Sequence, residues 1–355
     1  MVKCIRKAHE KRCGRIGGRM KVLLTGGNGF TGHHVAEAIL KNTDWHIDIM
    51  DRLSYASNGF SRLKEVSCYD DKRIRHFSHD FTMPILDGLL EELKDADYII
   101  HMGAETHVDN SITNPEPFVR CNVLGTMNML EFARKCKNLK KFFYMGTDEV
   151  FGPADRELVP NGFKEWDRYN STNPYSASKA GGEELCLAWA NTYGVPVIIG
   201  HTMNIFGERQ HQEKFIPRVI KAILNGETIT IHSDKTLKIS GSRFWIHARN
   251  VAQAILFLLE NGQVRDKYNI VGEKEVSNLE MAEFIASVIQ KEFNYRMVDF
   301  HSSRPGHDLR YGLDGTKLKE MGFNYPKSFE ESLTKTIQWT LANPKWIGVE
   351  DVVHI

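Results

Sequence analysis

The sequence predicts an α/β fold: a doubly wound, mostly parallel sheet with helices on both faces, and a smaller mixed α/β C-terminal region. Two patterns carry this expectation. Short apolar runs alternate with helical stretches between residues 21 and 200, as expected of parallel strands joined by crossover helices. The alternation then gives way to irregular loops such as "GERQHQEKF" and "HSDKTLKISGS". That break implies a second region laid over the first and fed by several chain crossings. With 355 residues, 41% of them hydrophobic, the chain can bury a full core.

Taken in order, residues 1–19 carry Lys3, Arg6, Lys7, Lys11, Arg12, Arg15 and Arg19 against a single Glu10, and read as a flexible basic tail. They lack the apolar stretch of a secretory signal. Met20 stands directly before the first strand as an alternative start. "KVLLT" is a buried strand, "GGNGFTG" a turn, and Thr31 to Lys41 a helix; "HIDIM" is the next strand and ends at Asp51. Further strands are expected at 74–78, 98–102, 141–145 and 196–200, with helices over 117–136 and 176–193. The sheet domain is therefore assigned to 20–200, with 241–270 returning to it, and the second region to 201–240 and 271–355.

Composition excludes several classes. A net charge of +1 with 26% charged residues gives no footprint for nucleic acid or an anionic membrane. No apolar run reaches the roughly 18–20 residues of a membrane span. The six cysteines (4, 13, 68, 121, 136 and 186) form no CxxC pair, which suits free thiols in a reducing, cytoplasmic setting rather than disulfides or a metal site. His33 and His34 read as helix-surface or packing histidines rather than metal ligands.

Gly27, Gly29 and Gly32 form GxGxxG, and Gly26 adds an overlapping register. Small residues there let the backbone approach a pyrophosphate seated on the helix N-terminus. The motif follows a strand and opens a helix. Asp51 answers it at the end of the next strand, where a carboxylate accepts from adenosine ribose hydroxyls. This is the Rossmann-type arrangement, and a carboxylate there repels a 2′-phosphate, so the expected cofactor is NAD. Tyr175 and Lys179 in "NPYSASK" are four apart on one helix face. A tyrosine whose phenolate is stabilised by the neighbouring ammonium and the nicotinamide can take a proton from a substrate hydroxyl that Thr147 also holds.

One stretch resists a purely structural reading: "FFYMGTDEVFG" ends an apolar strand in Thr147-Asp148-Glu149. With "TGGNGFTG", "DRLSYASN", "HMGAETHVDNSITNPEPFVRCNVLGT", "NPYSASKAGGEE", "EKFIP", "YNIVG" and "RPGHDLRYGLD", the chain resembles the extended short-chain dehydrogenase/reductases. Within them it resembles the nucleotide-sugar (dTDP-glucose) 4,6-dehydratase family. The resemblance runs from about residue 20 to 346. It implies oxidation of an NDP-glucose at carbon 4, loss of water across carbons 5 and 6, and hydride return to carbon 6. It makes Thr147, Asp148, Glu149, Tyr175 and Lys179 catalytic, with Glu149 the base at carbon 5 and a protonated Asp148 the acid for the 6-hydroxyl.

The resemblance also assigns Gly26, Gly29, Phe30, Gly32, Asp51, Asp80, Tyr175 and Lys179 to the cofactor. To the substrate it assigns Glu105, Thr106, His107, Asn204, Glu213, Lys214, Arg243, Arg304 and His307, the two arginines facing the pyrophosphate. It implies a homodimer built from the helices at 117–136 and 176–193. Where the family has Ser, Tyr and Arg, this chain has Gly146, Phe151 and His201, and Ile205 and Phe244 depart as well. The nucleotide base, dTDP or UDP, stays open. A 4-epimerase or UDP-glucuronate decarboxylase of the same fold, and a non-catalytic NAD-binding scaffold, are the alternatives. Asp148 and Glu149 weigh against all three, because none needs an acid–base pair that removes water.

Overall fold

The computed structural model describes residues 19–300 and 309–349. The basic tail therefore lies outside the described residues, apart from Arg19. Among the described residues twelve strands form: β1 (Lys21–Thr25), β2 (His46–Asp51), β3 (Ile74–Ser78), β4 (Tyr98–His101), β5 (Lys141–Thr147), β6 (Val197–Thr202), β7 (Asn204–Phe206), β8 (Thr228–Ser233), β9 (Ser242–His247), β10 (Asp266–Ile270), β11 (Glu275–Ser277) and β12 (Asn294–Asp299). Seven of them make one sheet in the order β10-β6-β5-β4-β1-β2-β3, and every neighbouring pair is parallel. The chain winds outward from β1 in one direction and from β4 in the other. In open sheets the crevice at such a switch point, past the strand C-termini, is where ligands bind.

Alternation along the strands decides the layers. Val22 and Leu24 of β1 pack with Val35, Ile39, Val251 and Ile255 of the helices Phe30–Asn42 and Ala248–Asn261. Leu23 points the other way, toward Leu93, Leu130, Phe132 and Cys186 on the helices that cover the second face. Both faces are dry, which is why these strands read as near-continuous apolar runs. The smaller region holds the sheet β11-β9-β7 and the pair β12-β8. Its own core includes Ile220, Ile231, Trp245, Met281 and Leu333. Of the segment 241–270, the helix Ala248–Asn261 and β10 lie on the main sheet, whereas β9 pairs within the small one.

The helix expected over 117–136 is broken. Glu116–Val119 passes through a π-turn, Arg120–Leu124, before Gly125–Ala133 resumes. The buried Asn122 accounts for the bulge. Its Oδ1 accepts from the Glu105 amide (3.0 Å), while its Nδ2 donates to the Glu105 carbonyl (3.0 Å) and to Ser178 Oγ (2.9 Å). Extra backbone in a π-turn lets a side chain reach partners a regular helix would deny it. By contrast, Pro174–Tyr193 is one uninterrupted helix. It starts at an Asn173–Ser176 capping box with Pro174 in the first turn, and stops at Gly194 in the left-handed region (φ 71°).

Candidate active site

A cavity of about 350 Å3 opens at the switch point and is lined by Gly26, Gly29, Phe30, Gly32, Asp51, Thr106, Thr147, Asp148, Glu149, Tyr175, Lys179, Asn204 and Lys214, among others. The glycine loop is tight where the sequence requires it. Gly26 adopts φ +71°, and a Cβ on Gly32 would lie 2.1 Å from the Gly26 carbonyl oxygen. No acidic side chain occupies the first turn of the following helix, so its exposed N–H groups suit an anion. Asp51 closes this end of the cavity, its carboxylate accepting from the Asn28 and Leu53 amides (3.0 and 2.8 Å). This cradle fits a dinucleotide. Arg52, the residue that could have favoured a 2′-phosphate, is already paired with Glu105 and Asp80.

The acid pair sits where β5 gives way to one 3-10 turn, Asp148–Phe151. The Thr147 hydroxyl donates to Asp148 Oδ1 (3.1 Å) and accepts from the Glu149 amide (3.4 Å). Asp148 is buried, and its Oδ2 makes no hydrogen bond among the described residues. Burial first, and then the Glu149 charge, push its carboxyl up to about 7. Glu149 is half-buried and accepts from Asn173 Nδ2 (3.2 Å). One carboxyl is thus held near its protonated form beside another that is more open to water.

Tyr175 and Lys179 are both buried on the same helix. Burial pulls the Lys179 ammonium down to about 8, and its Nζ lies 4.3 Å from the centre of the Tyr144 ring. The Tyr175 phenol is raised well above its ordinary value, first by burial and then by the Glu149 charge. In the protein alone burial and the Glu149 and Asp148 charges raise it against a hydrogen bond with Thr147; the nicotinamide cation that the expectation also invokes would act in the opposite direction.

Not every expected residue reaches the cavity wall. Glu105 and Asp80 turn to Arg52. His107 caps the helix Val108–Thr113, accepting from the Asn110 amide, and faces Glu213 across 3.7 Å. Arg243 donates to the Ser242 and Leu309 carbonyls and covers the Tyr311 ring, yet its charge still reaches Asp148. Arg304 and His307 lie outside the described residues. Residues that the sequence reading did not single out also line the cavity: Cys121, Met203, Gln210, His211, Phe215 and Trp245, of which Cys121 and Phe215 stand inside the quoted motifs.

Three departures from the resembled pattern form one packing unit. A Cβ on Gly146 would lie 3.0 Å from His201 Cδ2, and the Phe151 ring meets the His201 ring edge-on at 5.0 Å. His201 is fully buried between Glu183 (3.0 Å) and Asn269 (3.1 Å), and Lys267 pairs with Glu183 at 3.0 Å. Among the described residues, no group of three His, Cys, Asp or Glu side chains could hold a metal ion.

Comparison with known proteins agrees with this geometry. The sequence model of the NAD dependent epimerase/dehydratase family matches residues 22–271. A dTDP-glucose 4,6-dehydratase of Escherichia coli is 35% identical over 349 residues, spanning 92% of this chain and 94% of that protein. Its Salmonella typhimurium counterpart is 34% identical over 93% of this chain and 95% of its own length. The structure of the Streptomyces venezuelae dTDP-glucose 4,6-dehydratase with NAD and TYD bound superposes with a TM-score of 0.83 at 32% identity, covering 93% of this chain and 99% of that one. The chain belongs to the NAD dependent epimerase/dehydratase family.

Proposed function

We propose that this protein is an NAD-dependent nucleotide-sugar 4,6-dehydratase, a hydro-lyase that converts an NDP-glucose, with dTDP or UDP as the nucleotide, to the NDP-4-keto-6-deoxyglucose. The observation that carries this reading is the acid pair: Asp148 and Glu149 are adjacent in sequence and unequal in environment, beside Thr147, Tyr175 and Lys179 in one cavity. NAD, held by the glycine loop and Asp51, would supply the hydride acceptor and donor. Tyr175, steadied by Thr147, takes the proton of the 4-hydroxyl. The 4-ketone makes the carbon-5 proton acidic, and Glu149 removes it. Asp148, whose carboxyl is held up to about 7 by burial and the Glu149 charge, donates its proton to the departing 6-hydroxyl. A 4-epimerase needs no such donor, because no hydroxyl leaves.

The glycine cradle, Asp51 and Phe30 serve the dinucleotide, with Asp80 acting through Arg52. Thr106, Asn204 and Lys214 face the nucleotide sugar directly. Glu105, His107, Glu213 and Arg243 shape the surrounding loops, and the family resemblance adds Arg304 and His307 to the substrate-binding residues. Residues 20–200 with the return at 241–270 form the NAD-binding domain, and 201–240 with 271–355 the nucleotide-sugar region. The protein works as a cytoplasmic homodimer. Exposed Val119 and Tyr193 on the helices after β4 and β5 support the dimer. Four buried free thiols, Cys68, Cys121, Cys136 and Cys186, suit a reducing compartment. Incubation with dTDP-glucose and UDP-glucose, following the alkaline absorbance of 4-keto-6-deoxy products, tests the reading and identifies the base. Formation of the C4 epimer in place of that product would overturn it.

A further inference from the structure

Arg62, on the short helix Ser61–Glu65, is among the largest fully buried side chains, yet among the described residues it forms no direct ion pair, the Asp51 and Glu65 charges acting on it only from a distance. Nε and Nη1 donate to backbone carbonyls of three separate segments, while Nη2 has no hydrogen-bond partner among the described residues. Nη1 reaches the Ala56 and Ser57 carbonyls (2.9 and 2.5 Å) and the Asn28 carbonyl (3.4 Å), and Nε reaches the Arg209 carbonyl (3.0 Å). Each segment borders the cavity. Asn28 lies inside the glycine loop between Gly26 and Gly29, Ala56 and Ser57 follow Asp51, and Arg209 precedes the lining residues Gln210 and His211.

The clamp is double-sided. The Asn28 peptide donates to Asp51 on its N–H side and accepts from Arg62 on its carbonyl side. Arg209 holds a left-handed backbone (φ +66°), its side chain donates to Glu65 Oε2 (3.0 Å), and its guanidinium lies over Trp339. The Arg62 guanidinium itself stacks on Trp346 at 5.2 Å. Only a planar fork of several donors can serve carbonyls in three directions at once. An apolar replacement fills the volume but leaves those carbonyls without a donor.

We propose that Arg62 is a positioning residue for the dinucleotide: it staples the glycine loop, the loop after Asp51 and the 207–214 loop into the arrangement that encloses the adenosine half of the cofactor. The inference rests on the NAD reading above. Arg62 touches no reacting atom, so its removal acts on retention and not on chemistry. If the assembled arrangement becomes a minor conformer in its absence, NAD affinity falls in proportion to that fraction, about tenfold or more.

The test compares wild-type protein with Arg62→Met and Arg62→Lys, the latter keeping the cation but only one donor nitrogen. NAD remaining per chain after gel filtration, the Kd for NAD by titration, kcat at saturating NAD and Tm are read for each. Arg62→Met should lose its bound NAD and show a Kd raised at least about tenfold, with kcat restored by excess NAD. Arg62→Lys should fall between the two, and decides alone if the methionine variant does not fold. Wild-type retention in the variants, or a lowered kcat with unchanged Kd, would overturn the proposal. A wild-type protein that itself bound no NAD would overturn the cofactor reading together with it.

Discussion

Replacing Asp148 by asparagine should stabilise the folded chain at alkaline pH while removing product formation. Folding moves this carboxyl from an ordinary 3.8 to about 7, chiefly by burial and secondarily through Glu149. Three pK units at about 1.36 kcal/mol each correspond to roughly 4 kcal/mol. The sign follows from which state holds the proton. Below the unfolded value both states are protonated and the fold bears no penalty. As pH rises the unfolded chain ionises first, so stability falls until the folded value near 7 is passed. Asparagine does not titrate, and every other group is common to both proteins. The stability of Asp148→Asn relative to wild type should therefore rise by about 4 kcal/mol between roughly pH 4 and pH 8. Urea unfolding at several pH values measures it. The same variant should lose about 10²- to 10⁴-fold in 4-keto-6-deoxy product. A stability difference that did not change with pH would mean that Asp148 is ionised in the fold, and its part as proton donor would be lost.

Glu149→Gln should permit oxidation at carbon 4 but slow carbon-5 proton removal by about 10²- to 10⁴-fold, so that reduced cofactor builds up on mixing with substrate; near-normal product would reduce the acid pair to a polar strand end. Gly146→Ser should destabilise by about 1–3 kcal/mol, because the new Cβ meets a histidine ring fixed by Glu183 and Asn269. A double-mutant cycle with His201→Ala should then show strong coupling, and simple additivity would refute the contact. Light scattering at micromolar concentration should report a dimer, and a monomer would refute that assembly.

The sequence was most legible where one local rule governs several residues. The strand–glycine–helix unit and Asp51 follow from φ, close approach and the carboxylate's place, all within about thirty residues. Tyr175 and Lys179 needed only helical spacing. What depended on partners distant in sequence was hidden. Nothing in "HMGAETH" says that Glu105 will be claimed by Arg52, 53 positions earlier. Asn122 looks like any helical residue until its amide is seen bracing the Glu105 backbone. That Tyr175 would be buried beside two carboxylates was hidden too, because spacing conveys neighbours along a helix but not burial. Arg62 carried no signal at all, since a charged residue on a short helix ordinarily faces solvent.

Asn173 joins two of these parts in a single amide. Its carbonyl oxygen caps the helix that carries Tyr175 and Lys179, accepting from the Ser176 amide at 2.8 Å, while its nitrogen donates to Glu149. Ser, Thr and Asp would all serve as caps, yet none offers a nitrogen donor to the carboxylate. The residue that starts the helix therefore also sets the aim of the proposed base, and the proton-handling groups on β5 and on the helix are in register by construction. Substitutions that drift freely at most helix starts are closed to this position.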